Sequence, residues 1–291
     1  AGFDISVVFE AMGRVLCPEP VLGAAMAARL LVAAGADCEA LIAGAVKYAV
    51  AVSEIEAPYD LDGIACSASA KGEGYVLSGR KTAVYGGQAA DMFLVAARLD
   101  GALAVFEVAA DAAQVVGYPM MDGGGAAERL LDETPARLLK AQAAAALEDA
   151  VNAGIVALCA EAVGAMDVTL NTTVDYLKTR KQFGKIIGEY QALKHPTVDA
   201  YVDYEKARSH LYSAANSFSD QGMGEIAVRM AKAAADATYS FAADRAIQFH
   251  GGFGFTHDCD AGLHRRAAIF HASQYGDAAW QRAKLAPLLL G

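Results

Sequence analysis

Two segments of this chain carry residue types suited to gripping an anionic, ring-bearing ligand. The first runs from Tyr176 to His195 and holds Arg180, Lys181, Gln182, Phe183 and Gly184 in succession, with Gly188 and Gln191 following. Arg180 can offer a planar fork of donors to a phosphate, and Phe183 can pack on an aromatic ring. The same residues also describe a plain helix end. In that reading the helix stops at Phe183 with Gly184 as its cap, and Lys178, Arg180 and Lys181 complement the dipole. The second segment is Gln248, Phe249, His250, Gly251, Gly252, Phe253, Gly254. Paired glycines let a dinucleotide approach the backbone and use its N–H groups, or they simply cap and turn. No strand precedes them and the Gly-x-Gly-x-x-Gly spacing is absent, so a Rossmann site is not implied.

Other chemistries are weaker. His257, Asp258, Cys259 and Asp260 are adjacent, and four neighbours cannot all face one ion, so no metal is expected. Cys159 lies in an apolar helix, where packing is the simpler role than nucleophile. No Ser-His-Asp or Gly-x-Ser-x-Gly arrangement supports a hydrolase. The 5 cysteines form no CxxC pair, which predicts reduced thiols and a cytoplasmic location. Lys plus Arg number 24 against 34 Asp plus Glu, a balance that argues against nucleic acid as the main partner. With 55% hydrophobic and 20% charged residues the chain is not disordered. The most apolar stretch, Gly154 to Met166, is interrupted by Glu161, so no membrane span is expected. A mean hydropathy of +0.26 then suggests extra buried surface, in an oligomer or in a large core.

The elements that must position these segments fall into three zones. Residues 1–46 read as an amino-terminal helical region, with Val7, Val8, Ala11, Met12 and Val15 at helical spacing and Pro18 and Pro20 as a break. Residues 47–135 read as a small middle β domain. There Asp100-Gly101 between the apolar runs 92–97 and 103–108 is a hairpin signal. Residues 136–291 read as a carboxy-terminal four-helix bundle, with helices near 138–183, 189–219, 223–250 and 265–288. Ile226, Met230, Ala233, Ala237 and Phe241 would line one buried face.

The two segments, in a helix–β–helix chain that also carries Ser78-Gly79-Arg80-Lys81 followed by Ala90-Asp91, resemble the acyl-CoA dehydrogenase family over nearly the whole length. The resemblance implies an α+β fold with amino-terminal helices, a middle β domain and a carboxy-terminal bundle. It implies FAD, bound between subunits, and an acyl-CoA substrate that acquires an α,β double bond as a carboxylate takes the α proton and flavin N5 the β hydride. It also implies electron-transfer flavoprotein as the electron acceptor. By that resemblance Arg180, Gln182 and Phe183 would meet the pyrophosphate and adenine side of a neighbouring chain's FAD, Gln248, Gly251 and Gly252 its adenosine half, with Gln191 as a weaker candidate for the same cofactor. Val52 and Ser53, before Glu54, would touch the flavin ring.

Departures from the family pattern shape the expected function. The family's usual first helices, which line the acyl pocket, precede the segment that begins at Ala1. Ala83 stands where a tryptophan often packs near the flavin, and Ile155 where an arginine often contacts substrate or CoA. The glutamate that acts as base falls at Gln274 in one register and at Gly276 in another, which leaves Asp277 as the nearest carboxylate. The alternative family position for the base falls at Gly154, and Glu161 does not match it. These features resemble divergent bacterial subunits of heteromeric steroid side-chain or dicarboxylyl-CoA dehydrogenases. The expectation is therefore a dehydrogenase subunit, with Asp277 as its candidate base, working beside a homologous subunit. The alternative is a non-catalytic structural partner of a catalytic homologue.

Overall fold

The computed structural model describes residues 2–220 and 223–290. In chain order the first helices are α1 (Gly2–Arg14), α2 (Val21–Ala33) and α3 (Glu39–Ile42). Strands follow as β1 (Tyr48–Ala51), β2 (Ser67–Lys71), β3 (Gly74–Tyr85), β4 (Met92–Leu99), β5 (Ala102–Ala109), β6 (Val115–Pro119) and β7 (Gly125–Lys140). Then come α4 (Ala144–Thr179), a hairpin of β8 (Lys181–Gln182) and β9 (Lys185–Ile186), and α5 (Gln191–Ser217), α6 (Met223–His250), α7 (Ala261–Ser273) and α8 (Ala278–Leu290). The chain forms two compact units, one of residues 18–154 and one of residues 1–17 with 155–291.

The first unit is a β structure closed on itself. Strands β4, β2, β3, β7 and β5 are hydrogen-bonded in that order, and β5 pairs back with β4. β1 adds to β4 in parallel, and β6 adds to β7 antiparallel. Closure leaves β4 buried on both faces, which is why Phe93 to Ala97 is a continuous apolar run instead of an alternating one. Asp100 and Gly101 turn the β4–β5 hairpin with φ of 50° and 83°. That two-residue left-handed turn is what the Asp-Gly pair predicts.

In the second unit α6 is the central helix, packed by α5, α7 and α8. It is therefore buried on several sides, and the single apolar face expected from Ile226 to Phe241 is corrected. Ala237 is exposed, while Lys232, Asp236 and Tyr239 are buried. The helix limits also change. Residues 138–140 belong to β7, where Leu138 pairs with Phe106, so α4 starts later than 138. It ends at Thr179, and Phe183-Gly184 turn the β8–β9 hairpin instead of capping the helix. The expected helix 265–288 is two helices, because Tyr275 and Gly276 take left-handed φ of 51° and 94° that no helix can carry through. The two units also do not follow the zones 1–46, 47–135 and 136–291: α1 joins the helical unit and α2 the β unit.

α4 is long and apolar enough to cross a membrane by composition alone, but 83% of its most apolar window is buried inside the protein. Its crossing with α1 is made by two glycines. A Cβ on Gly13 would lie 1.9 Å from the Glu161 carbonyl oxygen, and one on Gly164 would lie 2.0 Å from that of Glu10. Backbones this close leave no room for a side chain. Gly164→Val should therefore cost more than about 2 kcal/mol, read as a lower urea midpoint, and an unchanged midpoint would contradict this packing.

Candidate cofactor-binding and active site

In the helical unit, the two ligand-gripping segments are brought together by a small core. Leu177, Ile187 and Phe249 are buried against one another, with Tyr176, Tyr190 and Leu193 packed around them. The Tyr176 ring stacks on His250 at 4.2 Å between centroids, and its hydroxyl donates to the His250 carbonyl at 3.4 Å. Ile187 N donates to Arg180 O at 2.9 Å, which closes the hairpin. Phe183 sits at its tip with φ of 54°, and its carbonyl accepts from the Tyr190 hydroxyl at 3.1 Å. Its ring is 90% exposed, an unusual state for phenylalanine. Arg180, Gln182, Gln191, Gln248, Gly251 and Gly252 are exposed as well. At Gly251 and Gly252 an added Cβ would meet nothing within 4 Å, so this stretch of backbone lies open.

In the β unit, Val52 and Ser53 follow the end of β1, with Val52 buried and Ser53 half-buried. Behind them lies an ion pair that sequence reasoning did not single out. Lys81 is 0% exposed and Glu54 5% exposed. The Lys81 ammonium donates to Glu54 Oε1 at 2.7 Å and to Val52 O at 3.2 Å. Glu54 also accepts from the amides of Ala65 (2.8 Å) and Cys66 (3.1 Å). Burial alone would raise the Glu54 carboxyl, but Lys81 and the two amides hold it below the usual carboxylate range. Burial also pushes the neighbouring Cys66 thiol up to about 11, so it is no nucleophile. Strand parity along β3 does not single Lys81 out, since Val76 and Leu77, on opposite parities, are both buried. Ala83 takes φ of 46° in the bulge between Lys81 and Val84.

The loop 274–277 is rigidly held. The fully buried Gln281 donates to the Tyr275 carbonyl at 2.8 Å and accepts from Arg229 Nη1 at 3.1 Å. Asp277 Oδ1 accepts from Trp280 N at 2.7 Å, which makes the carboxylate the N-cap of α8. Gln274 is 2% exposed, and its Oε1 has no hydrogen-bond partner among the described residues. Beside the loop, buried Lys232 donates to Asp236 and, at 2.9 Å, to the His271 carbonyl at the end of α7. Ile155 is buried in α4.

Comparison with known proteins gives these features a context. Acyl-CoA dehydrogenase IpdE2 of Mycobacterium tuberculosis is 30% identical over 268 residues, covering 91% of this chain and 71% of that protein. The chain belongs to the acyl-CoA dehydrogenase family. The family's C-terminal domain description matches residues 143–287. The chain spans 56% of a second relative, FadE27, and 59% of a third, FadE12, both of M. tuberculosis. Among solved structures, the Tcur3481–Tcur3483 steroid ACAD superposes with a TM-score of 0.91 at 27% identity, covering 100% of this chain and 81% of that one. The ChsE4–ChsE5 complex of M. tuberculosis gives 0.90 at 25% identity, with the same coverage.

The residues present fit a flavin dinucleotide. The helical unit offers a guanidinium fork, an exposed aromatic ring and side-chain-free backbone on one packed platform, which suits a pyrophosphate and its adenosine. In the helical unit Arg180, Gln182, Phe183, Gln191, Gln248, Gly251 and Gly252 are thus solvent-exposed, while the loop 274–277 presents an amide and a helix cap.

Two stability predictions follow from the loop and its neighbours. Asp277→Ala should lower stability by about 1 kcal/mol through loss of the cap, whereas Asp277→Asn should leave it nearly unchanged, both read by urea unfolding. Burial pushes His264 down to about 4 and His271 down to about 3, so both are neutral when folded and accept protons more readily when unfolded. Stability should then fall as pH drops from about 6.5 toward 4, by up to roughly 3 kcal/mol for His264. Asp236, pushed up to about 6 by burial, acts in the opposite direction between about 4 and 6, and the two histidines outweigh it. His264→Asn should flatten the fall in urea midpoint between pH 7 and 4.5, and an unchanged slope would refute this assignment.

Proposed function

We propose that this chain is one subunit of an FAD-dependent acyl-CoA dehydrogenase-type oxidoreductase that introduces an α,β double bond into an acyl-CoA thioester beside a homologous subunit. The observation that carries the reading is the contrast between its two kinds of site. The groups suited to a dinucleotide face outward, whereas the loop 274–277 is anchored and offers no carboxylate at Gln274 or Gly276. When bound, FAD supplies the hydride acceptor. Arg180 and Gln182 would orient the pyrophosphate of a neighbouring chain's FAD, Phe183 and the backbone at Gly251 and Gly252 its adenosine half, with Gln248 and Gln191 at its rim. Val52 and Ser53 would set the flavin ring. A carboxylate from the homologous subunit would take the α proton, since an amide at Gln274 has no basicity to do so. Electron-transfer flavoprotein would receive the electrons. The likeness to the steroid ACAD structure favours a steroid-derived acyl group. The free cysteines suit a reducing, cytoplasmic setting.

A second reading rests on Asp277 itself. Its side chain is exposed, and the cap uses Oδ1, so the other oxygen could still serve as base within this chain.

Flavin content and native mass decide between these readings, measured on the chain alone and co-expressed with a homologous subunit. The expected outcome is FAD retention and acyl-CoA dehydrogenation only in the co-expressed complex, with turnover unchanged by Asp277→Asn, which keeps the cap. Full FAD occupancy in a homo-oligomer, with turnover abolished by Asp277→Asn, would make Asp277 the base. Absence of FAD from both preparations would overturn the flavoprotein reading.

A further inference from the structure

The Glu54–Lys81 pair is more elaborate than a barrel interior requires. We propose that it is a positioning device for the cofactor, fixing the Val52–Ser53 backbone against which the flavin ring is set. The inference rests on the proposed flavin role of those two residues and goes beyond it by naming what holds them.

β1 ends at Ala51, where it pairs with Val95 for the last time. The next residues have no strand partner of their own. What restrains them comes from β3: the Lys81 ammonium on Val52 O at 3.2 Å and Thr82 N on Ser53 O at 2.9 Å. Glu54 then ties the same segment to the start of β2 through the amides of Ala65 and Cys66. One buried ammonium thus grips a carbonyl and a carboxylate from the same short stretch: the 52–53 peptide cannot rotate without breaking its bond to Lys81, nor the 53–54 peptide without breaking its bond to Thr82 N. The Ser53 hydroxyl, by contrast, makes no hydrogen bond among the described residues and is half-buried. A free hydroxyl on a clamped backbone is what a ligand contact needs.

Stability alone does not explain the pair. Taking two charges out of water costs several kcal/mol, and well-packed apolar residues of similar volume hold a core at least as well. Apolar side chains, however, cannot hold a carbonyl at a set angle. Gly79, whose Cβ would lie 3.0 Å from Cys66 Cα, lets β2 and β3 close tightly enough for both amides to reach Glu54.

The test uses the FAD-binding complex and compares Glu54→Gln, Lys81→Met and the double variant Glu54→Gln/Lys81→Met. Dissociation constants are measured for FAD and for ADP, together with the visible flavin band. ADP reports the pyrophosphate and adenosine groups, the part assigned above to the helical unit, without the flavin ring. The expected result is that FAD binding weakens roughly tenfold or more and the flavin band shifts, while ADP binding is unchanged. Equal weakening of both ligands would make the pair a mere scaffold and overturn the inference, as would unchanged FAD binding and an unchanged band. If a single variant fails to fold, the double variant, which leaves no buried charge unpaired, is judged by the same criteria. Wild-type protein that takes up ADP or nothing, but never FAD, would instead refute the proposed function.

Discussion

A cation taken out of water must be given acceptors in place of water, and each unit of this chain buries a lysine that meets this demand. In the β unit Lys81 is satisfied by Glu54 and the Val52 carbonyl. In the helical unit Lys232 is satisfied by Asp236 and the His271 carbonyl. Leaving either charge without its partner would cost several kcal/mol, whereas neutral replacement of a whole pair need not. Each pair therefore constrains geometry more than it adds stability. Lys81 restrains the segment after β1. Lys232 restrains the last turn of α7, from which the loop 274–277 departs.

Among the described residues, left-handed φ at non-glycine positions occurs at Leu16, Ala83, Asp100, Glu133, Gln142, Phe183 and Tyr275. Ala83, Phe183 and Tyr275 all take left-handed φ, between 46° and 54°, without being glycine. Each lies in a segment that the resemblance ties to flavin, dinucleotide or base. A non-glycine residue holds such a conformation only when its surroundings over-determine it. Around Tyr275 that work is done by Gln281 and Arg229, and around Phe183 by Tyr190. The hairpin tip and the loop are thus preorganised, although one is open to solvent and the other is buried from Gln274 to Gly276.

This contrast explains why the site was only partly legible in the residues. Arg180, Gln182 and Phe183 are readable as a group because they lie close together along an exposed hairpin, where only the succession of side chains matters. The same succession gave the wrong local structure, since a glycine after a basic run suits a helix cap and a hairpin turn equally. Asp277 was readable as a carboxylate but not as a cap, because capping depends on where α8 begins. That start was hidden by apolar spacing that runs on through the break at 274–277.

The chain by itself determined what depends on residue identity and near neighbours. Asp100-Gly101 turns because those two residues tolerate left-handed φ. Residues 93–97 form an unbroken apolar run that marks a strand covered on both faces. The loop carries an amide and a glycine where a base is expected, whatever the fold does. Only the tertiary structure decided that Lys81 meets Glu54, that Gly13 and Gly164 let α1 rest against α4, and that Tyr176 reaches His250. These contacts join residues from separate elements, and a burial cost or a hydrogen bond exists only once folding has brought both partners together. No pattern along a single element records them.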